Sequence, residues 1–313
     1  MNATTYAIDL AKSVFQLYWV EPDTGEIHCK KLTRAKLISF LATREPAIVA
    51  MEACGSAHHW ARVLGPMGHQ MQLLPPHKVR EHISGNKSDA ADARGIWLAA
   101  NQGDIRRVSI KSAQQQASLA AHRMRTHWVS MRTACANALR GHLYEFGITV
   151  PKGRKQLMRW LAESRAQLET ALPPLMLRLL DQQVQLLREL EQHIEAAERE
   201  IEQFARATAT ARQLKQVPGI GLLGASALAA TLGDGSGWRR SREFACCVGL
   251  VPRHSGTGGK VRMGGISKRG DAYLRTLLIH GARNLVRTSE PAPWIAQMLK
   301  RRPLNVVVAA GDQ

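Results

Sequence analysis

Patterned cysteine is missing from this sequence. The five cysteines, Cys29, Cys54, Cys135, Cys246 and Cys247, are an odd set without a CxxC pair, which argues against a disulfide framework or structural zinc and points to a reducing cytoplasm. Long apolar runs are missing too: no stretch, residues 306–310 included, approaches the roughly 18 residues of a membrane span. The N-terminal MNATTYAIDLAKS has no charged segment leading into an apolar one, so no signal peptide is expected. Acidic side chains are scarce. Only 25 Asp and Glu face 43 Lys and Arg in 313 residues, a formal charge of +18 and a pI near 10.3. Such a balance is rare among metabolic enzymes and implies a polyanionic partner, while the 45% apolar share excludes a disordered basic tail.

The basic excess is uneven. Residues 1–150 carry 18 basic and 11 acidic side chains, residues 151–206 carry nine of each, and residues 207–313 carry 16 and five. The length suggests two or three domains, and three segments emerge. Up to about residue 110, β-like runs (TTYAID, VFQLYWV, EIHCKKL, AIVAME, MQLL) alternate with helical ones from about Ala35 and Ala57, which predicts an α/β sheet domain begun by hairpin-joined strands. Residues 111–206 read as a helical linker: a helix from about Ser112 to Tyr144, a break at Pro151, and a long helix over 175–206. In that last helix Leu180, Leu187, Ile194 and Ile201 recur every seven residues, and Leu190, Ala197 and Phe204 complete a heptad seam. Two readings fit the seam, a dimerising or spacer coiled coil and an ordinary amphipathic packing helix. Residues 207–313 form an α-rich third segment.

Carboxylates carry the first chemical signal. Asp9 and Glu52 each close a β run, the strand-end position where open sheets place chemistry. Asp89 and Asp92, in KSDAADAR, are three apart and share a face if that segment is helical. Four carboxylates from two strand ends and a helix make a hard oxygen pocket suited to Mg²⁺, and a pair of such ions serves phosphoryl transfer. Any one of them alone also fits a cap or first-turn residue. The order Asp, Glu, Asp-x-x-Asp on this β-hairpin and α/β pattern is the layout of RNase H-like and RuvC-like nuclease domains. Lys12, Lys87 and Arg94 lie close by in sequence and are candidate phosphate contacts, or solvated surface charge.

The second signal is C-terminal. VPGIG, with Gly219 and Gly221, leads into a small-residue helix and resembles a helix-hairpin-helix element, whose backbone N–H groups meet DNA phosphate; a glycine turn for close helix packing is the alternative. Residues 244–278 then read as a glycine-rich cationic loop with Arg253, Lys260, Arg262, Lys268 and Arg269, glycine allowing backbone approach to phosphate and the cations neutralising it. Val261 after Lys260 excludes a Walker P-loop, and no GxSxG elbow is present. Ser255 and Thr257 are hydroxyls in this block, each a candidate nucleophile or simple phosphate contact.

Together, AIDLAKSVFQL, MEACGSAHHW, KSDAADAR, VPGIG and FACCVGLVPRHSGTGGKVRMGGISKRGDAYLRTLL resemble the DEDD transposases of insertion sequences, the group related to the Piv DNA invertase and called bridge recombinases. The resemblance runs from residue 6 to about 307. It implies a RuvC-like domain (1–110), a coiled-coil linker (111–206) and a transposase domain (207–313) that recombine DNA, guided by a structured bridge RNA, as a homodimer or homotetramer in a bacterial cytoplasm, at the nucleoid when on DNA. Asp9, Glu52, Asp89 and Asp92 match the family's Mg²⁺-binding set. A C-terminal serine forms a covalent phosphoserine link to DNA in that family; Ser255 is the candidate here and Thr257 the alternative. Family members usually continue past RRPLNVVVAA with another helix, so a truncated or frameshifted copy is the expectation. Two other functions fit the residues: a RuvC-like structure-selective endonuclease, for which the C-terminal block is unnecessary, and an inactive nucleic-acid-binding remnant.

Overall fold

A computed structural model describes residues 3–84, 88–233, 235, 238, 240–288 and 292–311, and the chain divides into two compact units, Met1–Gln114 and Gln115–Gln313.

Unit 1 is a five-stranded mixed sheet in the order β3-β2-β1-β4-β5. Strands β1 (Thr5–Asp9), β2 (Val14–Val20) and β3 (Ile27–Thr33) run antiparallel, and β4 (Ile48–Glu52) and β5 (Gln70–Leu74) continue parallel to β1. Both faces are covered over β1, β2 and β4, which is why these strands read as largely apolar runs, whereas the edge strand β3, IHCKKLT, is mostly exposed. Tyr6, Ile8, Val49, Met51 and Leu73 point to the face covered by α1 (Arg34–Ala42) and α2 (Ala57–Leu64), where Leu37, Leu41, Trp60 and Leu64 meet them. The intervening Ala7, Ala50 and Leu74 face Val79 of α3 (Pro76–Arg80) and Ala93, Ile96 and Ala99 of α4 (Asp89–Ala100). Alanines on strand and helix alike let α4 lie close to the sheet. Its start is capped by the Ser88 hydroxyl, which accepts from the Ala91 amide at 3.2 Å. This mixed α/β architecture is compatible with the RNase H-like expectation.

Unit 2 is mostly helical. Helices α5 (Ala113–Glu145) and α8 (Pro174–Ala207) run antiparallel, with Arg125 bonded to Glu198 and Arg132 to Glu191, both at 2.7 Å, and Trp128 stacked on His193. The short helices α6 (Arg154–Glu163) and α7 (Arg165–Ala171) add Leu157, Leu161 and Leu168 to the core that Leu139, Leu143, Leu180 and Leu187 form. All seven heptad residues of α8 are buried within the one chain. The long helix stands where the heptads predict, and its seam is already used as an intramolecular packing face.

Next come α9 (Ala209–Leu214), α10 (Leu222–Leu232) and α11 (Ser241–Cys247), a two-stranded ribbon of β6 (Pro252–Thr257) and β7 (Lys260–Ile266), and α12 (Ala272–Thr288), α13 (Pro293–Leu299) and α14 (Leu304–Gly311). The ribbon corrects the expected glycine-rich loop at 244–278: Ser255 and Thr257 sit on a strand. KVRM alternates with the period of two that a strand needs, and Gly258 and Gly259 supply the positive φ values, 56° and 77°, of a two-residue turn. No helix among the described residues is long and apolar enough to cross a membrane.

Candidate nucleic-acid cleavage residues

Strands β1 and β4 are parallel neighbours, with Ile8 opposite Met51, so the next residues, Asp9 and Glu52, end side by side at the carboxyl edge of the sheet. Helix α4 packs across β1, β2, β4 and β5 and brings Asp89 and Asp92 from its first turn. The two strand-end carboxylates respond to this setting. Asp9 is pushed up from 3.8 to about 6, first by burial and then by the charges of Asp92, Asp89 and Glu52. Glu52 is also raised, by burial and by Asp92, against the opposing pull of Arg80. Among the described residues no three acidic, His or Cys side chains converge tightly enough to enclose an ion by themselves. The donor chemistry nevertheless fits a hard divalent cation: of four carboxylates, Asp9 is held reluctant to ionise by burial and then by like charge, and a cation among them relieves that.

The surrounding cations are partly those the sequence singles out. Lys12 is exposed, and its carbonyl accepts from the Arg34 guanidinium at 3.1 Å. Arg94 is exposed two residues beyond Asp92, on a different face of α4. Lys87 lies outside the described residues. Two further cations lie outside the set the sequence points to. Arg80 acts on Glu52, and Lys31 lies 3.7 Å from Asp89 with both side chains exposed. The run PPHKVR directly after a strand was the available signal for Arg80, because the residues following a strand's C-terminus line the same sheet edge.

In unit 2 the two glycines of VPGIG part company. Gly219 has φ +87° and lies against α12: a Cβ on Gly281 would come within 1.9 Å of the Gly219 carbonyl oxygen. Its conformational freedom serves helix packing. Gly221 caps α10, exposed and with open space around it.

The ribbon pairs Ser255 with Arg262 and Thr257 with Lys260. Directly opposed residues project from the same face, so one side carries two hydroxyls and two cations, while His254, Val261 and Met263 occupy the other. Arg253 is committed elsewhere, donating twice to the Ser267 carbonyl at 3.2 and 3.0 Å. Arg262 and Lys260 are exposed. Lys268 is the one non-glycine at positive φ (56°) among the described residues; it and Arg269 are exposed at the ribbon's base, where the Lys268 amide bonds the Gly249 carbonyl at 3.0 Å.

A buried polar chain near the ribbon carries no sequence signal. His122 of α5, 1% exposed, lies 2.8 Å from the Tyr273 hydroxyl and 3.0 Å from the Ser226 hydroxyl. Ser226 donates its only proton to the Leu222 carbonyl at 2.8 Å, so it accepts from Nε2–H of His122, and Nδ1 accepts from Tyr273. Burial, with Arg125 nearby, lowers the histidine to about 4 and keeps it neutral. The chain ties α5, α10 and α12 together.

Comparison with known proteins gives this geometry its context. Residues 211–297 match the family described as "Transposase IS116/IS110/IS902 family", and residues 7–148 match a DEDD transposase domain of the same IS110 type, described as "Transposase". The chain is 44% identical over 316 residues to a probable family 20 transposase of Pseudomonas aeruginosa, spanning 99% of this chain and 94% of that protein. It is 39% identical to the transposase for insertion sequence element IS1328 of Yersinia enterocolitica, over 99% of this chain and 93% of that one. It is 36% identical to the transposase for insertion sequence element IS1111A of Coxiella burnetii, over 95% and 83%. With carboxylates at the sheet edge in the first matched segment and the cationic ribbon in the second, the chain belongs to the IS110/IS116 family of DEDD insertion-sequence transposases.

Proposed function

We propose that this transposase cuts and rejoins DNA strands by transesterification, with Asp9, Glu52, Asp89 and Asp92 as Mg²⁺ ligands and Ser255 as nucleophile, Thr257 being the alternative. The observation that carries the reading is the placement of Asp9 and Glu52 on neighbouring strand ends beneath the first turn of α4, where burial and the charges of Asp92, Asp89 and Glu52 raise Asp9, a cost that binding a divalent ion offsets. The bound ion supplies Lewis-acid stabilisation of phosphoryl oxygens. The protein's own groups do the rest. Arg80 and Lys31 offset the acidic charge, and the exposed cations Lys12, Arg94, Lys260, Lys268 and Arg269, with Lys87 and the amide end of α10 at Gly221, hold nucleic-acid backbone. Arg253, committed to Ser267, supports the ribbon from its base. In this reading residues 1–110 are the metal-dependent catalytic domain, 111–206 the helical linker and 207–313 the nucleophile-bearing domain. A structured guide RNA shares these cations with DNA, and the protein works as a homodimer or homotetramer. Since the α8 seam is spent within the chain, contacts between copies fall to other faces, such as exposed Leu175, Leu179 and Leu186.

A second reading, hydrolysis alone, follows from the fact that all four carboxylates lie in unit 1. One experiment separates the two. Purified protein, RNA from the flanking region of the element and labelled element-end DNA are incubated with Mg²⁺ and run on a denaturing gel. Strand exchange leaves a covalent protein–DNA band that disappears in Asp9→Ala and in Ser255→Ala. Cleavage without a band identifies a nuclease, and a band that survives Ser255→Ala but not Thr257→Ala moves the nucleophile.

A further inference from the structure

We propose that Arg262 is a catalytic residue of that transesterification, its guanidinium gripping the non-bridging oxygens of the phosphate that Ser255 attacks; the proposal rests on the reading of Ser255 as nucleophile. The register places it. Ser255 and Arg262 are direct cross-strand partners, so their Cβ atoms are about 5 Å apart and both side chains leave the same face of the ribbon. A phosphorus atom in line with the serine oxygen, roughly 3 Å away, is within reach of the arginine's longer arm.

Two neighbouring arginines, Arg253 and Arg275, have structural work, and Arg262 does not; Arg269, also uncommitted, lies at the ribbon's base and not opposite Ser255. Arg253 bonds the Ser267 carbonyl and Arg275 the Val248 carbonyl, closing the base of the ribbon, whereas the Arg262 side chain has neither an ion-pair nor a hydrogen-bond partner among the described residues and is exposed. An unpaired guanidinium beside a hydroxyl is a ready fork for two phosphate oxygens, which the lysine opposite Thr257 cannot match in geometry. The strands are also locked together at this point. A Cβ at Gly256 would fall 2.5 Å from the Lys260 carbonyl oxygen, so the residue beside Ser255 must be glycine for the ribbon to close and set the serine–arginine spacing.

The step balances. The Ser255 oxygen forms a bond to phosphorus as the bond from phosphorus to the departing DNA oxygen breaks, and the hydroxyl proton passes through water to that leaving oxygen. No net charge is created, but the five-coordinate phosphorus concentrates negative charge on its non-bridging oxygens, where a fixed cation acts most strongly.

The test is the rate of covalent adduct formation at saturating DNA, measured with an ordinary scissile phosphate and with a neutral methylphosphonate at that linkage. Arg262→Ala should slow the ordinary reaction by about a hundredfold or more, as loss of one oxyanion-stabilising donor typically does. Arg262→Lys should recover part of it, and the Arg262→Ala deficit should shrink on methylphosphonate, where there is no charge to neutralise. Because the side chain is exposed and unpaired, the variant keeps its fold. An equal deficit on both substrates overturns the proposal. So does an unchanged saturated rate with weaker binding and a salt slope reduced by about one, the mark of a simple phosphate anchor. A band that survives Ser255→Ala overturns the nucleophile reading itself and the Arg262 role with it.

Discussion

Replacing Asp9 with asparagine should stabilise unit 1 at neutral pH, although it removes a proposed metal ligand. Asp9 moves from 3.8 in the unfolded chain to about 6 in the folded one, equivalent to about 3 kcal/mol before screening. The side chain is only partly buried, so solvent screening reduces the figure to about 1.5 kcal/mol. The sign follows from the direction of the shift. A carboxyl raised on folding favours the native state fully below about pH 4, and that benefit is lost as pH rises through about 6. Asparagine keeps the shape and can still accept the Leu10 backbone hydrogen bond that Asp9 accepts. Hydrogen exchange at the β1 and β4 amides reads this unit by itself. Without divalent ions at pH 7, the protection factors in Asp9→Asn should exceed wild type by about tenfold, the equivalent of 1.4 kcal/mol. At pH 4 the two proteins should match. Millimolar Mg²⁺ should raise protection in wild type more than in the variant and narrow the gap, because an ion bound by the native carboxylates stabilises the fold that holds them. Equal or lower protection in Asp9→Asn at pH 7 would refute the claim that burial and the neighbouring carboxylates make ionised Asp9 costly at the sheet edge.

Two further predictions concern unit 2. His122→Phe strands the buried hydroxyls of Ser226 and Tyr273 on the histidine side and should cost about 2 to 3 kcal/mol in denaturant unfolding. Because wild-type His122 is lowered to about 4, the unfolded chain binds the extra proton between about pH 6.5 and 4. Wild type should therefore lose stability as pH falls through that window, while the variant lacks this component. Glycine-to-alanine changes in two helices should have opposite signs. Gly281→Ala drives a Cβ to 1.9 Å from the Gly219 carbonyl oxygen and should destabilise by about 2 kcal/mol or more. Gly141→Ala in α5 meets nothing within 4 Å and should stabilise by about 0.5 to 1 kcal/mol. Thermal unfolding of both variants checks the pair, and a common sign would contradict the close approach of VPGIG to α12.

What the sequence reveals divides along a physical line. The central strands β1 and β4 are legible because burial on both faces demands continuous apolar side chains, and their ends follow from the polar residue that stops each run, so Asp9 and Glu52 are found together with the elements that carry them. Asp89 and Asp92 are legible from helical spacing alone. The heptads of α8 also stand out, but a heptad repeat states only that a seam is buried, and an antiparallel helix of the same chain satisfies it as well as a second copy does. The ribbon is hidden by its glycines, which resemble loop residues although Gly256 and the Gly258–Gly259 turn are what close the strands; the alternation in KVRM was the better guide. Least legible of all is which cations are free. Arg253 and Arg262 look alike in a cationic stretch, and what separates them is the Ser267 carbonyl, 14 residues from Arg253, which occupies one guanidinium and not the other. Charge is a sum over residues and can be counted from the sequence. Availability for phosphate depends on carbonyl oxygens that only the folded backbone brings into reach, and position for chemistry on a strand register that sets Arg262, and not Arg253 or Arg269, opposite Ser255.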